Sequence, residues 1–169
     1  GKRTAWVARG VGGKGYFGLI DDQRTSADVG DEAIMAYRRL GADCYSGVPR
    51  SQLITAASRD GCVSVVSDDG MQSPDLQPDR LVVVLRAEDP WGNGLRLPAG
   101  PLREGPECLE RADLVVWHGL DRGEPELPAE ADGRRQMGCF LCRDNTINSS
   151  RNRINIGLNY FWNARERMK

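Results

Sequence analysis

The chain has 169 residues, with 23 Lys/Arg against 24 Asp/Glu, one His and five Cys. That length supports one domain with a core, with or without a tail, and leaves a second full domain unexpected. A net charge of −1 points to neither a nucleic-acid nor a membrane partner, and no apolar run approaches the roughly 20 residues of a membrane helix. The charge is split, however: residues 1–132 hold 15 basic against 22 acidic side chains (net −7), and residues 133–169 hold 8 against 2 (net +6).

In chain order, strand-like runs are predicted at Thr4–Arg9, Cys44–Val48, Val63–Ser67, Leu81–Leu85 and Asp113–Trp117. Between the first two, Asp31–Leu40 opens with two acids, closes with two arginines and is followed by Gly41, which marks a helix at both ends. Pro49–Arg59 reads as a second helix, with Pro at a first-turn position and Gly61 beyond its end. A third, shorter helix is expected over Pro106–Arg111. Strands alternating with helices predict an α/β fold with a mainly parallel sheet flanked by helices.

From about Asp121 to Arg135 the composition turns to Pro, Glu, Gly and Asp without periodicity, which reads as a linker. Beyond it, residues 136–169 form a basic tail holding six of the seven asparagines. Asn is a weak helix former and Gly157 interrupts the run, so an irregular or helical tail of unrelated composition is expected, packing poorly against a core that spans 1–120. The five cysteines, Cys44, Cys62, Cys108, Cys139 and Cys142, are odd in number and mostly sit in apolar segments, as reduced cytosolic thiols do.

The strongest chemical signal is Val63-Ser-Val-Val-Ser-Asp-Asp-Gly70, an apolar run ending in two adjacent carboxylates. Acids at the carboxyl end of a buried strand are costly unless they hold a cation or act on a substrate; the plain reading is a polar Asp-Gly turn. Asp28-Val-Gly-Asp-Glu32 gathers three carboxylates at a helix start, which capping alone explains. Gly10-Val-Gly-Gly-Lys-Gly15 matches a dinucleotide fingerprint, but the helix that should receive a pyrophosphate does not follow, and a flexible loop is the better reading. No P-loop motif is present among the 169 residues. Cys139-Phe-Leu-Cys142 lacks the second ligand pair of a zinc site, and His118 reads as a strand-end residue. The tail's arginines with Tyr160-Phe-Trp162 would suit phosphates and bases, although nucleic acid is an unlikely partner.

Taken together, Arg9-Gly-Val-Gly12, Asp28-Val-Gly-Asp-Glu32, Ser67-Asp-Asp-Gly-Met-Gln72, Gly92-Asn-Gly94 with Leu97-Pro-Ala-Gly-Pro-Leu-Arg-Glu104, and Arg111-Ala-Asp-Leu-Val-Val-Trp-His-Gly119 resemble the tetraacyldisaccharide 4′-kinases over about residues 4–119. The resemblance implies a P-loop-kinase-like core lacking the P-loop, which in the family would precede residue 1. It also implies ATP and Mg²⁺ as cofactors, and transfer of the γ-phosphoryl group to the 4′-hydroxyl of a lipid A disaccharide precursor at the cytoplasmic face of a bacterial inner membrane. By matching positions, Asp31 and Glu32 fall on catalytic carboxylates, Asp68, Asp69 and Glu104 on the metal site, and Arg9, Gln72, Asn93 and Arg103 on the nucleotide and substrate surroundings. Val11 and Ser73 depart from the family's Tyr and His. A non-catalytic remnant with the same fold, and a basic-tailed nucleic-acid binder, are the competing readings. The expectation for the site is that Asp68 and Asp69 end a central parallel strand and face one cleft with Asp31 and Glu104.

Overall fold

The computed structural model describes residues 3–86, 89–118, 135–139 and 158–160. They fall into two compact units, the second beginning at Arg80 and the first also taking Leu158, and into two four-stranded sheets. One mainly parallel sheet over residues 1–120 is the sequence expectation. The pattern of apolar runs cannot tell one sheet from two, because it reports which residues are buried and not which strands pair.

In the first unit, β1 (Thr4–Ala8), β3 (Asp43–Ser46) and β4 (Ser64–Ser67) run parallel, and β2 (Gly18–Leu19) joins β3 antiparallel, giving the order β2-β3-β1-β4. The pleat sends alternate side chains to opposite faces. Ala5, Val7 and Tyr45 face Leu53 and Ala57 of α3 (Arg50–Arg59). Trp6, Ala8 and Cys44 face Val29 of α1 (Ser26–Val29) and Ala33, Ile34 and Ala36 of α2 (Asp31–Leu40). Helices on both faces are what a parallel sheet requires, since neither face can be left to water.

The bounds of α2 are those the charge pattern predicts, and it ends at Gly41, which takes the left-handed conformation (φ +58°) that caps a helix. The two-residue β2 and the one-turn α1 carry too few residues to show any period, and the sequence does not announce them. β4 is an edge strand of its sheet among the described residues, not the central strand expected. Its four residues are all half-buried, whereas Ala5, Val7 and Ala8 of β1 are buried, so the apolar run Val63–Val66 reflects β-propensity rather than burial on two faces.

The second unit pairs β5 (Val82–Arg86), β6 (Leu114–His118) and β7 (Arg135–Cys139) in parallel, in the order β7-β6-β5-β8 with β8 at Leu158–Tyr160. β5 is buried from Val82 to Leu85. The segment Pro106–Arg111 is a 3₁₀ helix. A six-residue stretch opening with Pro has few i→i+4 bonds to gain, and the Cys108 N–H reaches Gly105 O at 3.0 Å instead. β7 extends the sheet beyond residue 120 and straddles the expected linker–tail boundary; Arg-Gln-Met-Gly-Cys has little strand patterning of its own. Apart from β7 and β8, that linker and tail, with Cys142, Phe161 and Trp162, lies outside the described residues. Among the described residues no helix is long and apolar enough to cross a membrane, and the side chains of Cys44, Cys62 and Cys108 are free and buried.

Candidate active site

Because β1, β3 and β4 are parallel, their carboxyl ends share one edge of the sheet, where sites of α/β folds gather. The loop after β1 packs against the start of α2 on this edge. Gly30, at φ +87°, is the residue before α2, and a Cβ there would run into the carbonyl oxygen of Val11. The glycine of Asp28-Val-Gly-Asp-Glu32 is therefore needed both for its backbone conformation and for close approach. Ser46, fully buried at the end of β3, donates its hydroxyl to Val29 O at 3.0 Å and ties the same corner to the sheet.

The three acids of that motif have separate tasks. Asp28 accepts hydrogen bonds from the N–H and the hydroxyl of Thr25, at 3.0 and 2.8 Å, and these hold its carboxyl below the ordinary range. It belongs to the cap of α1. Asp31 and Glu32 remain exposed in the first turn of α2, where the helix dipole favours negative charge.

Asp68 and Asp69 follow directly on β4, with Asp68 N–H bonded to Val7 O at 3.0 Å. Burial pushes the Asp68 carboxyl up to about 6, and the charges of Glu32 and Asp69 push the same way against the opposing Arg50. Arg9, just past β1, places its guanidinium 3.9 Å from the Asp69 carboxylate. Gln72 lies further along this turn, its Oε1 buried with no hydrogen-bond partner. Asp31, Glu32, Asp68, Asp69, Arg9 and Gln72 thus all belong to the first unit.

Two residues that the motif reading passes over complete the edge. Arg50, in the first turn of α3, is 2 % exposed and donates to Ser67 Oγ (3.1 Å), Asp68 O and Asp69 O (2.8 Å). Asp75 accepts from the Ser51 N–H at 2.9 Å and the Ser73 hydroxyl at 2.7 Å, securing the start of the same helix. A signal for Arg50 was available: a cation in the first turn of a helix opposes the dipole, so its presence there needs a reason.

Asn93, Arg103 and Glu104 belong to the second unit. Asn93 braces its own loop, its Oδ1 accepting from Leu95 N–H at 3.1 Å and its Nδ2 donating to Ala99 O at 3.1 Å. The glycine- and proline-rich run closes by an Arg96–Leu102 bridge and a hydrogen bond from Leu97 N–H to Leu102 O at 2.8 Å. Glu104 is ion-paired with Arg111, and Arg96 with Glu107; Arg103 is exposed.

Among the described residues no three His, Cys, Asp or Glu side chains converge closely enough to form a metal site by themselves. The donor chemistry on the edge still fits a hard cation. Burial, and then the charges of Glu32 and Asp69, disfavour ionisation of the Asp68 carboxyl, a cost that a bound cation offsets, and Mg²⁺ takes one or two carboxylates, completing its octahedron with phosphate oxygens and water.

A family model described as tetraacyldisaccharide-1-P 4′-kinase matches residues 1–157, further along the chain than the motifs that carry the resemblance. Curated relatives called tetraacyldisaccharide 4′-kinase include one from Colwellia psychrerythraea, 40% identical over 115 residues (67% of this chain and 34% of the relative). One from Hahella chejuensis is 42% identical over 123 residues (71% and 36%). Another, from Hyphomonas neptunium, is 38% identical over 134 residues (78% and 40%). The chain spans between a third and two fifths of the length of these relatives. No solved structure matches it.

Proposed function

Since the chain belongs to the tetraacyldisaccharide-1-P 4′-kinase family, we propose that it forms the acid-bearing part of a lipid A 4′-kinase. The reaction is transfer of the ATP γ-phosphoryl group to the 4′-hydroxyl of a tetraacyldisaccharide 1-phosphate, at the cytoplasmic face of a bacterial inner membrane. The observation that carries this reading is the crowding at the carboxyl edge of the first sheet. Asp68 is pushed up to about 6 by burial and by Glu32 and Asp69, Arg9 stands 3.9 Å from Asp69 on the same edge, and perturbed acids gathered with a cation in this way are a mark of functional sites.

In this reading Asp68 and Asp69 hold Mg²⁺, which when bound offsets charge on the transferring phosphate oxygens. Arg9 lies near enough to Asp69 to serve phosphate oxygens on the same edge, which suits a guanidinium. Asp31, exposed at the start of α2, orients the attacking hydroxyl and accepts its proton, with Glu32 beside it. The buried Gln72 Oε1 is an acceptor placed for a donor that a nucleotide or an ordered water supplies.

The test is transfer of label from γ-labelled ATP to a tetraacyldisaccharide 1-phosphate. Labelling at the 4′ position that needs Mg²⁺ and falls by about 10²-fold or more in Asp31→Asn supports the proposal. Labelling indifferent to Asp31→Asn, or directed to another position, contradicts it.

A further inference from the structure

Arg50 combines burial with an unusual set of partners. Its guanidinium is almost fully excluded from water, and burial pushes its pKa down while Asp69, Asp75 and Asp68 hold it up. Burying a cation is costly unless its donors are well used. Here the donors go mainly to backbone: one terminal nitrogen serves Ser67 Oγ and Asp68 O, the other serves Asp69 O. The Nε is buried without a partner, so the site tolerates an unmet donor to keep the fork in place.

What the fork grips is a strained turn. Asp69 has φ +50°, a left-handed conformation that is unfavourable for a residue with a Cβ. Consecutive carbonyls at 68 and 69 held by one planar group cannot rotate independently. Their Cα–Cβ directions, and so the departure of both carboxylates from the turn, are thereby set. An ammonium is a point charge and cannot span these acceptors in the same geometry.

We propose that Arg50 is a positioning residue for the acid pair: its guanidinium clamps the Asp68 and Asp69 carbonyls, holds Asp69 left-handed, and so presents both carboxylates to the cation of the phosphoryl-transfer site. The metal half of this inference rests on the function proposed above; the clamp half does not.

The test uses the whole chain, with Arg50→Lys, which keeps the charge and loses the fork, and Ser67→Ala, which removes one of the three acceptors. Amide resonances of Asp68, Asp69 and Gly70 report the turn, and Mn²⁺, as a paramagnetic probe, reports affinity. Arg50→Lys should leave the spectrum dispersed, displace or broaden those three resonances and weaken Mn²⁺ binding by roughly tenfold or more; Ser67→Ala should do less on both counts. Turn resonances coincident with wild type in Arg50→Lys, or Mn²⁺ affinity within about twofold of it, would overturn the proposal. Absence of Mn²⁺ binding in the wild-type chain would defeat the metal reading of the function, and the turn resonances alone would then decide the clamp. Should Arg50→Lys not fold, adding Asp69→Gly decides: glycine adopts φ +50° freely, so recovery of the fold supports the clamp and failure to recover refutes it.

Discussion

Glu32 in the first turn of α2 and Asp68 at the end of β4 are joined through charge rather than a hydrogen bond. Burial is the largest cause of the raised Asp68 carboxyl, and Glu32 is the largest contribution from a neighbouring charge. The fold has brought together acids from separate elements that repel at neutral pH. A folded-state value of about 6, above the ordinary carboxylate range, means the folded chain binds more protons than the unfolded chain between about pH 4 and 6. Stability therefore falls as pH rises through that window, and the penalty is complete above it. Asp68→Asn should raise stability at pH 7 by about 1–2 kcal/mol after screening, or about 2–6 °C in Tm, with no gain at pH 4. Thermal melts at the two pH values measure it; equal effects at both would refute the raised Asp68 carboxyl.

Asp75 works in the opposite sense. The Ser51 N–H and the Ser73 hydroxyl hold its carboxyl down at about 2, so its contribution is fully present above about pH 4 and is lost as pH falls through about 2. Asp75→Ala leaves the start of α3 without this acceptor and should cost about 1 kcal/mol at pH 7. The difference from wild type should vanish in acid. Because α3 carries Arg50, exchange of the Ser51 amide hydrogen should quicken in the variant, and an unchanged rate would show that Asp75 does not secure the helix.

Gly30→Ala meets two obstacles, a φ of +87° and the Val11 carbonyl. The expected loss is about 3 kcal/mol or more. Chemical denaturation of the variant measures it, and a loss below about 1 kcal/mol would mean that the loop after β1 yields and that the start of α2 is not fixed against it.

Much of this edge was legible in the sequence. Asp31–Leu40 announced itself because acids, bases and Gly41 stand where a helix dipole and a left-handed cap want them, and β1, β3, β4, β5 and β6 follow their apolar runs to within two residues at each end. Asp68 and Asp69 stood out as carboxylates closing such a run. What the sequence could not show is pairing: that β4 lies at the edge of its sheet, that the strands fall into two sheets, and that β7 joins the second. Each depends on contacts between distant residues, which local patterns do not encode. Asn93 read as a ligand residue, and its side chain is committed to bracing its own loop. Arg50 went unnoticed because its partners are mostly backbone carbonyls, which have no sequence identity.

The most direct test of the central claim is the placement of a divalent cation on the chain. Mn²⁺, added in substoichiometric amounts in the presence of ATP, should broaden the amide resonances of Ser67 to Gly70 and of Asp31 and Glu32 before all others, with Mg²⁺ in excess reversing the effect and Asp68→Asn abolishing it. Broadening that begins at other acidic residues, such as Asp21 and Asp22, and persists unchanged in Asp68→Asn would contradict the assignment of this edge to metal-assisted phosphoryl transfer.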